Sequence, residues 1–96
     1  MDENKIKEIK ERVLPVLREA HVKKAALFGS YVRGEEREDS DIDILVDLPD
    51  GLSLFDVVGI KIELEDVLGK RVDLVQYDTI KPRLKQYILS EQLPIL

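Results

Sequence analysis

The feature that most constrains the fold is a helical pattern enclosed by two short apolar segments. The segments, 41–48 and 71–76, are rich in Ile, Leu and Val, and their length is typical of strands. Between them, apolar residues recur at helical spacing from about Leu54 to Leu68. Such a chain buries its apolar residues when helices pack on a sheet. The sequence therefore predicts a small α/β fold.

The rest of the chain continues the pattern. Ser53 and Asp56 predict a capping box for this helix, and Gly69 is a natural end for it. Asp2 is a candidate N-cap for a first helix, which Pro15 should kink or end early. We expect four further elements: a strand at 23–28, one or two helical turns at 30–34, a last helix from Pro82 and a short edge strand in 93–96.

Composition narrows the class of protein. The 96 residues are 44% hydrophobic and are expected to form one domain over 1–96, with no second domain to hold a large substrate. The absence of cysteine excludes zinc–thiolate sites and thiol nucleophiles and fits a reducing cytoplasm. A net charge of −5 argues against direct binding to nucleic acid. No apolar run approaches the ~20 residues of a membrane helix, so we expect a soluble, cytoplasmic protein without membrane contact.

Three aspartates interrupt the apolar segments. Asp41 and Asp43 alternate with Ile42, so on a strand they share one face, with backbones roughly 6.6 Å apart. Asp73 occupies the same kind of position in the next segment. A single aspartate of this kind is usually a solvent-facing residue at a strand end. Three together are costly in strands and would repel each other, which a cation would relieve, and oxygen-only ligands favour Mg²⁺ or Mn²⁺.

A Gly-Ser pair precedes these aspartates. Gly29 lets the backbone turn after an apolar strand, and Ser30 then begins the short helical segment, where free N–H groups can bind phosphate. Arg33, one turn later, can add a bidentate contact to a phosphate oxygen. Alone, the pair is usually only a turn. Alone, Arg33 more often forms a surface ion pair, here with Glu35, Glu36 or Glu38.

The combined motif resembles a known family. Gly29-Ser30, ten further residues and then Asp41-Ile42-Asp43 resemble the signature of the DNA polymerase beta-like nucleotidyltransferase superfamily. The stretch GSYVRGEEREDSDIDILV is similar to its minimal nucleotidyltransferase (MNT) branch, although Val32 stands where many members have Ala. Asp73 matches the third catalytic carboxylate by position. The resemblance implies the polymerase beta-like fold, with a small mixed sheet and helices packed on it.

The resemblance also implies a chemistry. Asp41 and Asp43 would bridge two Mg²⁺ ions, and Asp73 would bind the ion that activates the acceptor hydroxyl. Gly29, Ser30 and Arg33 would hold the nucleoside triphosphate, of which ATP is the family's usual donor. In-line attack on the α-phosphate would then expel pyrophosphate.

Because we expect no second domain to hold the acceptor of the nucleotide, we expect another molecule to supply it, most simply a partner protein. Minimal MNT proteins resemble the antitoxin half of HEPN/MNT toxin–antitoxin pairs, whose HEPN-type toxin is an RNase. The resemblance therefore implies a protein adenylyltransferase that silences the toxin by transferring AMP to one of its tyrosines, with a hetero-oligomer as the assembly. Two alternatives stay open: an antitoxin that acts by binding alone, and a nucleotidyltransferase that modifies a small molecule with the help of a partner subunit.

Overall fold

The structure is a computed structural model that describes residues 3–96; the predicted N-cap Asp2 lies outside this range. Its helices are α1 (Glu3–Glu19), α2 (Ser30–Arg33), α3 (Leu54–Leu68) and α4 (Pro82–Glu91). Its strands are β1 (Lys24–Phe28), β2 (Ile42–Asp47), β3 (Val72–Gln76) and β4 (Leu93–Pro94), and a 3₁₀ turn, Tyr77–Thr79, follows β3. Each predicted helix and strand is present, and apart from the C-terminal end of α1 their ends lie within two residues of those expected. None of the helices in residues 3–96 is long and apolar enough to cross a bilayer.

The four strands form one mixed sheet in the order β3-β2-β1-β4. The pairing of β2 with β3 is parallel, and β1 pairs antiparallel with both β2 and β4. The β4 edge is two residues long and contains Pro94, which has no N–H to donate. At the β3 edge, the Val72 N–H donates to the Glu65 carboxylate at 3.0 Å. The predicted fold class, a small mixed sheet with helices packed on it, is confirmed.

Packing on one face of the sheet forms the core. Side chains that alternate along β1 and β2, among them Leu27 and Ile44, are fully buried together with Leu17 of α1 and Leu64 of α3. Burying a side chain of this size stabilises the fold by about 1.5–3 kcal/mol. The face packed on α1 and α3 therefore forms the hydrophobic core, and the aspartates of β2 and β3 lie on the opposite face of the sheet.

The ends of the helices follow the local signals, with two corrections. Ser53 and Asp56 form the predicted capping box, and Gly69 ends α3 in the left-handed conformation. Pro15 was expected to kink α1 or to end it early; the early end is wrong, because burial of Val13, Val16 and Leu17 on either side of the proline keeps the residues helical to Glu19. Leu54 was expected on the buried stripe of α3 but is 78% exposed, since the first turn of that helix lies outside the core.

Candidate active site

The site is built on a direct pairing of two strands. Asp43 of β2 and Asp73 of β3 are register partners across the parallel ladder, so their side chains leave the same face of the sheet side by side. Asp43 is half-buried and Asp73 is exposed. The structure thus brings together two of the three aspartates that the sequence singles out.

The third aspartate lies close by and has a different partner. Asp41 immediately precedes β2, and its carboxylate forms an ion pair with the Arg71 guanidinium at 3.1 Å. Across residues 3–96, no three Asp, Glu, His or Cys side chains are placed to share one metal ion. The assignment of Asp41, Asp43 and Asp73 as one ligand set therefore stays a prediction, and it requires Asp41 to leave Arg71.

The electrostatics of Asp43 show how closely the acids are gathered. Burial, with the negative charges of Asp73 and Asp41 and a hydrogen bond to Asp73, raises the pKa of Asp43 to about 6; Arg33 lowers it in part. A cation at this position would relieve the repulsion between these carboxylates, so the three aspartates fit a metal ion. All the donors are carboxylate oxygens, which is the chemistry that Mg²⁺ prefers.

The Gly-Ser turn packs directly against Asp43. Gly29 has φ 80° and ψ −151°, a conformation that side chains rarely adopt. A Cβ built on it would lie 2.9 Å from Cγ of Asp43 and would overlap Oδ2. Ser30 begins α2, which ends at Arg33. A motif that is separated from Asp43 along the chain is therefore in contact with it in the fold, and only glycine fits at the contact.

Arg33 reaches this turn but is already paired. Its guanidinium contacts Glu35 at 3.1 Å, one of the ion pairs that the sequence suggested, and also Glu91 at 2.8 Å. The hydrogen bond to Glu35, together with the charge of Glu91, raises the pKa of Arg33 above its usual value. The same Oε1 atom of Glu91 accepts the Gly29 N–H at 3.0 Å.

Sequence reasoning did not single out Glu91. No local pattern marks it, because the contact joins residues 62 positions apart and depends on where α4 comes to lie. The short helix and the strand ends, in contrast, were marked by glycine, serine and alternating apolar residues.

The chain is similar to known proteins over nearly its whole length. The model of the nucleotidyltransferase domain family matches residues 5–94, which is nearly the whole chain. A relative from Methanocaldococcus jannaschii with the provisional name protein adenylyltransferase is 52% identical over 91 residues, 95% of this chain and 98% of the relative. The protein adenylyltransferase MntA of Thermococcus cleftensis is 46% identical over 70 residues, 73% of this chain and 71% of that protein.

A solved structure is similar as well. One chain in the crystal structure of a toxin–antitoxin complex with AMP-PNP superposes with a TM-score of 0.79 at 27% identity. The match covers 91% of this chain and 72% of the other. The mixed sheet and its helices therefore have the same arrangement in both proteins.

Proposed function

This chain belongs to the nucleotidyltransferase domain family, and from that premise we propose that it is an antitoxin which transfers AMP from ATP to a tyrosine of a HEPN-type toxin. The transfer neutralises the toxin. Relatives named protein adenylyltransferase support the reaction, and the similar chain from a toxin–antitoxin complex supports the partner.

One observation carries the proposal. Gly29 lies so close to Asp43 that a methyl group cannot be placed between them. The turn that would bind the triphosphate and the carboxylates that would act at the α-phosphate are therefore parts of a single site. Phosphoryl transfer depends on this kind of joint positioning, because the phosphorus, the leaving oxygens and the acceptor must be held in line.

The residues around Asp43 divide into two groups. Gly29, Ser30 and Arg33 present N–H, hydroxyl and guanidinium donors for the phosphate oxygens of ATP. Asp41, Asp43 and Asp73 would hold Mg²⁺, with two ions as the proposed number. When bound, Mg²⁺ would offset the charge of the phosphates and favour loss of the acceptor proton.

The transfer step follows from this division. The phenolic oxygen of the toxin tyrosine attacks the α-phosphorus, the bond from that phosphorus to the bridging oxygen breaks, and pyrophosphate leaves. Asp73 is the more exposed of the two register partners, which supports its carboxylate as the proposed acceptor of the phenolic proton. The half-buried Asp43 stays beside the turn and fixes the position of the donor.

Co-expression with a candidate HEPN-type toxin tests the proposal. We expect mass spectrometry to find a toxin tyrosine that carries AMP, and the double variant Asp41→Asn/Asp43→Asn to leave that tyrosine unmodified and the toxin active. A toxin that is neutralised in the presence of Mg²⁺ and ATP, with every tyrosine unmodified, would refute the transfer.

Neutralisation by binding alone is the second candidate, and the surface of α3 favours it. Phe55, Val58 and Ile62 follow one another along this helix and are 89%, 44% and 52% exposed, as an apolar contact surface for a partner would be. The same double variant separates the two functions. If it still neutralises the toxin and Phe55→Ser does not, binding is the mechanism.

A further inference from the structure

One carboxylate, that of Glu91, is hydrogen-bonded to two of the proposed phosphate-binding groups, the Gly29 N–H and the Arg33 guanidinium. Oε1 of Glu91 accepts the Gly29 N–H at 3.0 Å and the Nη1–H of Arg33 at 2.8 Å. The Glu91 side chain is only 15% exposed and its hydrogen bond to Gly29 is partly buried, whereas the Arg33 side chain is 37% exposed. An anionic oxygen held by a backbone N–H and a guanidinium is the arrangement that a phosphate oxygen would form there.

The helix that carries Glu91 is weakly packed. No side chain of α4 is buried, and Leu84 and Tyr87 are 45% and 60% exposed. Beyond the last residue of the helix, Gln92 accepts a hydrogen bond from the Tyr77 hydroxyl at 2.7 Å. No buried apolar side chain therefore holds α4 itself against the site, while the pairing of β4 with β1 anchors the chain two residues beyond Glu91. The helix can move away at small cost in buried apolar area if β4 stays in place.

We propose that Glu91 is an internal competitor for the phosphate site, which holds α4 closed over Gly29 and Arg33 until a nucleoside triphosphate displaces it. This inference rests on the proposed function for the identity of the ligand. It adds that the site exists in a closed state, with Glu91 bound, and an open state, with the triphosphate bound. The apparent affinity for the triphosphate is then reduced by the fraction of molecules that are closed.

Calorimetry with ATP and Mg²⁺ tests the competition on the full chain. Glu91→Gln keeps the size of the side chain and removes its charge, so we expect it to bind MgATP about three- to tenfold more tightly than the wild type. Glu35→Gln is the matched control, because it removes the same charge from the same arginine but has no contact with Gly29. That variant should change the affinity by less than about twofold, since the Glu35 side chain is 66% exposed.

Hydrogen exchange gives a second readout, because removal of a negative charge near the site would not by itself change exchange in α4. Binding of MgATP to the wild type should accelerate exchange in 82–91, because displacement of Glu91 frees α4. Glu91→Gln should show the faster exchange before MgATP is added. Thermal unfolding of each variant confirms that the fold is intact, and the exchange measurement on the wild type is independent of any variant.

The outcomes separate this inference from the proposed function. Equal MgATP affinities for the wild type and Glu91→Gln, or equal gains in Glu35→Gln and Glu91→Gln, overturn the competition and leave the transfer reaction untouched. Unchanged or slower exchange in α4 on addition of MgATP also overturns it. Tighter binding by Glu91→Gln without any transfer to the toxin supports the competition and counts against the proposed function. No binding by either protein rejects both.

Discussion

Asp43 and Asp73 lie directly opposite each other on two parallel strands, with their carboxylates on the same face of the sheet. Burial and the neighbouring acids Asp73 and Asp41 raise the pKa of Asp43 to about 6.

The first prediction concerns pH. The pKa of Asp43 is higher in the folded state than in the unfolded state, where it is near 3.8. Protonation of Asp43 therefore stabilises the fold below pH 4, and this contribution is lost as pH rises through about 6. Because Asp43 is partly solvated, we expect the loss to be about 1 kcal/mol. Asp43→Asn should abolish it. Thermal unfolding in EDTA from pH 4 to 8 measures this, with the exposed Asp50→Asn as control; equal pH profiles for the wild type and Asp43→Asn would refute it.

The second prediction concerns the metal. A cation that binds the folded site offsets the repulsion at Asp43, so Mg²⁺ at about ten times its Kd should stabilise the wild type by about 1.4 kcal/mol, which is several degrees in Tm for a domain of this size. Asp43→Asn and Asp73→Asn should lose most of this response at pH 8. If Asp50→Asn loses it equally, the metal acts elsewhere.

The third prediction compares two glycines. Gly29→Ala and Gly51→Ala both place a side chain at positive φ, 80° and 86°, which costs about 1–3 kcal/mol each. Only Gly29→Ala also drives a methyl group into Asp43, because nothing lies within 4 Å of the Cβ position at Gly51. We expect Gly29→Ala to be less stable by about a further 2 kcal/mol and to lose AMP transfer, while Gly51→Ala keeps the transfer. Denaturant unfolding and a transfer assay check the difference, and equal losses in the two variants would contradict it.

The fourth prediction concerns Asp41. Its partner Arg71 is 76% exposed, so Arg71→Gln should change the free energy of unfolding by less than about 0.5 kcal/mol. Loss of the guanidinium frees the Asp41 carboxylate, and the affinity for Mg²⁺ should rise about two- to threefold. Titration calorimetry with MgCl₂ measures it, and Arg83→Gln, an exposed arginine on α4, is the control. Unchanged or weaker Mg²⁺ binding in Arg71→Gln would contradict the assignment of Asp41 as a ligand.

Local signals account for most of what could be predicted. The capping box at Ser53, the turn at Gly29 and the first-turn proline at Pro82 each act within a few residues, so the sequence shows them directly. Of the kink or early end expected at Pro15, the early end was wrong, because buried neighbours on both sides stabilise α1 beyond what the proline removes.

Contacts between distant residues account for what could not be predicted. The sequence predicts the two strands but not the register that places Asp43 beside Asp73, because the packing of whole elements sets that register. The contact of Glu91 with Gly29 depends on the position of α4, and no spacing in the chain encodes that position. Both relationships bear directly on the candidate site.

The edges of the sheet limit how this protein can associate. A strand approaching β4 would meet two residues, one of them Pro94, and a strand approaching β3 would meet the Glu65 carboxylate on the Val72 N–H. Short edges, proline and charge are features that discourage strand addition and edge-to-edge aggregation. These edges therefore discourage extension of the sheet from molecule to molecule, and contacts with a partner are to be sought on the helices.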